Sequence, residues 1–349
     1  MNGSENPAAE SPPRRRSRLA GEIGALVYIA IVAQVAFATG AVYVMFPELG
    51  ALSHDVLTRP RGSWARAPVA LVVTPILTAI IGIIVTRTLL YGFFSVMLTV
   101  GGALIVIAAT RSPIAPAISA GLLPLVLGIK SWWYPPGILF GTALLAALSI
   151  GWSYLDSHRD PAPRDDDADD DAQVVADARD DALESAPSGL RWLWALSLFV
   201  ALAMVAVDLS GLRFILFPPL VVIAYEMLGH PEVCPWARRP LSLPIACFLT
   251  AGGGFICLRA FGANAAAATA AMVWGIVILR SFDLHIPPAL AIAILPLVMD
   301  HPTILYPFSV GIGTGLLTIW FLNYARLFNA ISRGALRMKQ IAANNSGAG

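Results

Sequence analysis

The sequence predicts an all-α, polytopic transmembrane helix bundle, and three observations carry that prediction. Hydrophobic residues are 57% of the 349 and charged residues 13%, whereas a soluble domain carries about 25% charge. Apolar runs of about twenty residues, long enough to cross the ~30 Å hydrocarbon core, recur along the chain. The second half also echoes the first: Ile114 to Val126 reads IAPAISAGLLPLV and Ile286 to Val298 reads IPPALAIAILPLV, an offset of 286 − 114 = 172. At the same offset Tyr134-Pro135 is answered by Tyr306-Pro307, and Gly141-Thr142 by Gly313-Thr314. These repeats predict an internal duplication with about 10–12 membrane segments, some of them short and Pro-interrupted.

Residues 1–18 are rich in Pro, Ser and Arg and read as a disordered basic cytoplasmic tail. They precede an apolar run too long for a signal-peptide core, so a signal anchor is expected. The first transmembrane repeat is placed at 19–155. It opens with one helix to about Thr39 and a second segment with Phe46-Pro47 inside it. Trp64-Ala-Arg66 and Pro68 lead into a third helix, and a fourth spans about Leu89 to Ala109. A short Pro-bounded segment follows, then a last helix from Pro135.

The second repeat, 190–326, gives the same layout: Trp194 to Leu209, then Leu212 to Leu228 around Phe217-Pro-Pro219, then Trp236-Ala-Arg238 and Pro240. An apolar helix from Ala260 to Leu279, a short Pro-led segment and a helix from Pro307 complete it. Residues 327–349 read as a cytoplasmic C-terminal tail. Between the repeats, 156–189 reads as an acidic, disordered linker: twelve of the 22 acidic residues lie between Asp156 and Glu184.

Basic residues set the orientation. Arg14 to Arg18, Arg59, Arg61, Arg66, Arg238, Arg239, Arg280 and Arg326 fall at one set of helix ends, and only Arg87, Lys130, Arg213 and Arg259 at the other. The positive-inside rule then predicts both termini in the cytoplasm and a multi-pass protein of the cytoplasmic (inner) membrane. An even number of crossings per repeat makes the halves parallel. A segment that re-enters on its own side would make them inverted, and both topologies stay open.

Ionisable groups inside hydrocarbon are costly and point to function. Asp283, His285, Asp300 and His301 bracket a segment of about fourteen residues, roughly 20 Å as a helix and too short for the core. Pro287 and Pro288 suit its first turn, and a helix N-terminus held inside the protein attracts anions. The other reading places the first two in an ordinary turn at one face and Asp300 and His301 in a turn at the other. Asp55 and Glu226 close the Pro-interrupted segments of the two halves, where each could take a proton or pair with Arg66 and Arg238. Arg87 and Arg259 occupy equivalent helix ends, where such residues cap carbonyls or snorkel, or attract an anion. Trp64, Trp236, Trp132, Trp133, Trp152, Trp192 and Trp194 are assigned to an aromatic belt. The three cysteines, Cys234, Cys247 and Cys257, form no metal or disulfide pattern. No catalytic residues, cofactor, metal or nucleic-acid partner are expected, and the protein is not expected to be an enzyme.

Three stretches resemble the HPP family of integral membrane proteins, named for a His-Pro-Pro signature. They are Phe46 to Ala51 (Phe-Pro-x-Leu-Gly-Ala), the Arg66/Arg238 proline region, and His285-Ile-Pro-Pro-Ala289. The resemblance implies a bundle of transmembrane helices, with His285, Pro287 and Pro288 carrying the signature. Some plastid members are linked to nitrite transport. The expected function is a transporter or channel for a small solute, a small inorganic anion by the resemblance. Its partners would be that solute and the lipid bilayer, and a homo-oligomer is left open. In this reading His285 and His301 meet substrate or proton, Asp300 and Glu226 orient or relay protons, and Arg87 and Arg259 attract the anion. The alternative is a non-transporting membrane scaffold that docks partners through the acidic linker.

Overall fold

The computed structural model describes residues 13–157 and 178–346, with backbone alone for 13–17, 156–157 and 327–346. The expected tails at 1–12 and 347–349, and the linker over 158–177, lie outside the described residues. The described residues form an all-α bundle without strands.

The first half runs α1 (Pro13–Thr39), α2 (Leu49–Thr58), α3 (Pro68–Thr88), α4 (Phe93–Thr110), α5 (Ala117–Leu127) and α6 (Tyr134–Ser157). Residues 178–183 form a short helix, α7. The second half runs α8 (Arg191–Ser210), α9 (Pro218–Gly229), the single turn α10 (Pro235–Arg238), α11 (Ser242–Phe261), α12 (Ala265–Ser281), α13 (Pro287–Ile294) and α14 (Leu305–Ser346). Turns of 3-10 helix at Val42–Val44 and Arg213–Leu216 precede α2 and α9. Seven of the helices (α1, α3, α4, α6, α8, α11 and α14) contain spans long and apolar enough to cross a membrane. The 17-residue α12 is about 25 Å long.

The expected order holds, and the differences have local causes. Phe46-Pro47 and Phe217-Pro-Pro219 interrupt their segments: α2 begins just after Pro47, and α9 on Pro218. Pro cannot donate to the preceding turn and forces its neighbour out of the helical region, so Phe217 is extended (φ −73°, ψ 147°) and α9 starts on Pro218. The basic segment from Pro13 already belongs to α1, and α14 continues to Ser346 rather than ending at a tail. Arg, Ala, Met, Lys and Gln are good helix formers.

The short helices occupy the centre. Every residue of α13 is buried, as are Pro218 to Leu228 of α9, Leu49 to Leu57 of α2 and Ala117 to Val126 of α5. A helix apolar all round belongs in a core. In the arrangement of the halves, α2 packs on α13 and α5 on α9, so each short helix lies against one from the other half. The long helices surround them and turn Ile84, Ile105, Leu198, Ile256 and Ile319 outward, as lipid contact requires.

Equivalent residues make equivalent bonds. Tyr134 Oη donates to the Ala120 carbonyl at 2.9 Å, and Tyr306 Oη to the Ile292 carbonyl at 2.7 Å, both pairs 172 residues apart. A Cβ added at Gly82 would stand 2.0 Å from the Gly121 carbonyl oxygen, and one at Gly254 2.0 Å from that of Ala293. Only glycine lets a long helix approach the short one so closely.

The tryptophans divide into two groups. Trp132, Trp133 and Trp194 are exposed, as a belt requires, but Trp64 and Trp236 are fully buried. Trp64 Nε1 donates to the Pro113 carbonyl at 3.0 Å and ties the loop before α3 to the loop before α5.

Candidate functional site

Depth within the bundle follows from pairs of contacts. Leu57 and Thr58 close on Gly21, near one end of α1. Leu49 packs on Gly141, whose carbonyl accepts from Tyr28 Oη at 2.8 Å, and Tyr28 is midway along α1. The N-terminus of α2 therefore lies at half depth, and the helix runs to the end where the inter-repeat linker joins. Thr78, the midpoint of α3, donates from Oγ1 to the Ala117 carbonyl at 2.6 Å. The N-terminus of α5 is also at half depth, and that helix runs toward the opposite end. The second half repeats these contacts: Leu220 of α9 packs on Gly313 and Ala293 of α13 on Gly254, as Leu49 does on Gly141 and Gly121 on Gly82. The short segments thus join opposite ends of the bundle and do not turn back.

Glu48, the residue before α2, stands at half depth and is 1% exposed. Ser119 of α5 lies beside it and is fully buried. Neither carboxylate oxygen has a partner in hydrogen-bonding geometry, and neither does the Ser119 hydroxyl. Sequence reasoning missed this pair. The available signal was a lone carboxylate next to Pro47, in the middle of an apolar crossing.

A second cluster closes the linker end of α2. Arg59 Nε donates to Asp55 Oδ1 at 2.9 Å, and the same guanidinium binds Glu184 and approaches Asp180 Oδ2 at 3.3 Å. Glu184 also accepts from the Ser63 hydroxyl. Asp181 accepts from the Ser63 amide at 3.0 Å and from Arg66 at 2.7 Å. The end of the linker expected to be a free tether is therefore helical and bound. Arg59 and Arg66 offset the charge that would otherwise keep it in water.

Burial pushes the Glu184 carboxyl up to about 9, the Asp55 charge adds to the push, and Arg59 opposes it. Burial works against the charge of Arg59, but Asp55 and Glu184 outweigh it and hold the guanidinium protonated.

The candidate residues divide between the two ends. Asp55 pairs with Arg59 rather than Arg66 and is fully buried. Glu226, at the end of α9, is buried near Asp55 and Asp180, and one of its oxygens is unpartnered. His285 joins this cluster from the loop before α13, with Nε2 3.5 Å from Asp180 Oδ2 and its ring 6.4 Å from that of His54. Burial pushes the His285 imidazole down to about 3, against the pull of Asp55, so the ring is neutral there. Pro287 and Pro288 are buried in the first turn of α13.

Asp300 and His301 are exposed beyond the far end of that segment, in a turn at the opposite face, and do not meet His285. Arg87 also lies at that face, donating to the Lys130 carbonyl at 2.6 Å with its guanidinium 5.7 Å above the Trp132 ring. Arg259 is exposed at the equivalent helix end. Both reach the interface as snorkelling cations do and do not enter the centre. Across the halves, Arg280 of α12 binds Glu22 of α1.

No group of three or more His, Cys, Asp or Glu suited to a metal ion gathers among the described residues. No curated protein and no solved structure matches the chain. Residues 10–161 match the family model described as HPP, transmembrane region. That stretch contains α1 to α6, with Glu48, Asp55, Arg59 and Ser119, while His285-Ile-Pro-Pro288 lies outside it. The chain is a multi-pass integral membrane protein, and its residues 10–161 are similar to the HPP transmembrane region.

Proposed function

We propose that the protein is a transporter or channel that carries a small solute, a small inorganic anion of the nitrite or nitrate kind, between its two tandem repeats. The observation that carries this reading is the set of four short helices buried at the centre, with N-termini at half depth. Broken helices of this sort, in matching positions of two halves, build the binding sites of secondary transporters. Their positive ends draw an anion to the middle of the bilayer. His285, Asp55 and Glu226 stand at the linker-end mouth of this path, and Pro287 and Pro288 form the first turn of α13 inside it. Asp300, His301, Arg87 and Arg259 surround the opposite mouth, where the arginines gather anions. The linker end carries Arg59, Arg61, Arg66, Arg238, Arg239 and Arg280, and it faces the cytoplasm by the positive-inside rule.

Uptake of nitrite, nitrate, formate and chloride into proteoliposomes tests the reading. Uptake of one of them, slowed by His285→Ala, supports it. No uptake of any anion by folded protein contradicts it. The scaffold reading is less favoured, because Asp180, Asp181 and Glu184 are already bound to Arg59, Ser63 and Arg66 of their own chain. Deleting 160–177, which leaves Asp180, Asp181 and Glu184 in place, separates the two: a transporter keeps its flux, and a scaffold loses its partner.

A further inference from the structure

Glu48 combines four properties that no other carboxylate in the described residues shares. It is buried, it stands at half depth, both its oxygens lack a partner in hydrogen-bonding geometry, and it sits at the N-terminus of α2 beside Ser119 in the first turn of α5. The titratable side chains facing it are Tyr134 of α6 and Tyr306 of α14. Both tyrosine hydroxyls are turned away, donating to the Ala120 and Ile292 carbonyls. No lysine, arginine or histidine among the described residues pairs with it. A carboxylate in such surroundings avoids the cost of a buried charge by taking up a proton. A metal cation would need several ligands, and none gather here. A proton needs one oxygen.

We infer that Glu48 is a proton-binding site, and that it couples proton and anion movement through the same centre. The inference rests on the anion-transport reading above. An anion drawn to half depth by the ends of α2 and α5 meets Glu48. An ionised carboxylate repels it strongly in that low dielectric, whereas a protonated one does not and can donate to it. Anion binding and protonation therefore favour each other, and the coupling is reciprocal.

The proton sits on a Glu48 carboxylate oxygen while the anion is bound, and leaves to water with it on the other side. Asp55 is seven residues on, which places it on the same face of α2 about 10 Å nearer the linker end. The device occurs once per chain: the positions equivalent to Glu48 and Ser119 in the second half are Pro219 and Ala291.

Two readouts on the whole chain in bilayers test this. The first is infrared difference spectroscopy between about pH 5 and about pH 9, a range that spans ordinary and raised carboxyl titration. A protonated-carboxyl band that is present in the native protein and lost in Glu48→Gln supports the site. An unchanged band overturns it, whether or not any anion is transported. The second readout is the pH profile of nitrate uptake. Native uptake should fall by up to about tenfold per pH unit above its midpoint. The profile should flatten in Glu48→Gln, and its midpoint should move in Ser119→Ala. A profile that keeps its slope in Glu48→Gln, or uptake that follows sodium rather than pH, overturns the coupling. If the carboxyl band behaves as expected and no anion moves, the anion reading fails and the proton site stands.

Discussion

Arg59 and Glu184 are 125 residues apart and meet in a buried hydrogen bond. Their contact fastens the segment that joins the two halves of the chain to the end of a central short helix. Because Asp55 shares the same guanidinium, one cation holds three elements: α2, the loop after it and α7.

Removing that cation leaves Asp55, Glu184 and Asp180 facing one another in a buried site. Arg59→Ala is expected to destabilise the protein by about 3–5 kcal/mol, the cost of breaking a buried pair by deleting one partner. Thermal unfolding in detergent measures it. Arg59→Lys recovers only part of the loss, because an ammonium cannot bind a carboxylate through two parallel N–H donors.

The attachment of α7 is expected to depend on pH with a defined sign. Glu184 titrates at about 9 when docked and near 4.5 when free, so the docked state holds the extra proton between those values. The Glu184 contribution to docking is therefore fully present below about pH 4.5 and is lost as pH rises through 9. His285 acts in the other direction: its folded value of about 3 lies below the ordinary 6.5, so its contribution is present above 6.5 and lost as pH falls toward 3. Thiol labelling of Ser185→Cys across pH, in a background without the native cysteines, reports the release. Glu184→Gln removes its alkaline limb.

The close approach of long and short helices predicts a contrast between neighbouring glycines. Gly254→Ala drives a Cβ to 2.0 Å from a backbone oxygen of α13 and must shift that helix, whereas a Cβ at Gly252 meets nothing within 4 Å. The first is expected to cost about 1–3 kcal/mol or more. The second is expected to stabilise by up to about 1 kcal/mol, because alanine is the better helix former. Unfolding midpoints of the two variants decide it.

Much of this architecture was legible in the residues. The offset of 172 between Tyr134 and Tyr306 is matched in the structure by two equivalent hydrogen bonds. The interval from His285 to Asp300 marked a segment too short to span as one helix. What escaped was the partnering. Asp55 pairs with Arg59, one turn along its own segment, and not with Arg66. Glu184 and Asp180 come from a stretch whose composition alone argues for solvent, and only the buried guanidinium opposite them reverses that. Trp64 and Trp236 have the composition of a belt, but their loops fold inward. Asp300 and His301 are four residues or fewer beyond a buried segment, and no local signal says that the chain has by then reached the surface. Glu48 carried a signal in its position between Pro47 and an apolar run, but its significance depends on α5, more than 65 residues away.

The most direct test of the central claim, a path through the short helices at half depth, is thiol access to Ser119→Cys with Cys234, Cys247 and Cys257 replaced. A small membrane-impermeant thiol reagent is applied from each side of the bilayer while nitrate uptake is followed. The account predicts labelling from at least one side during turnover, loss of uptake on labelling, and protection by the transported anion. A cysteine that stays unlabelled from both sides in protein that is actively taking up nitrate would contradict a path through this centre.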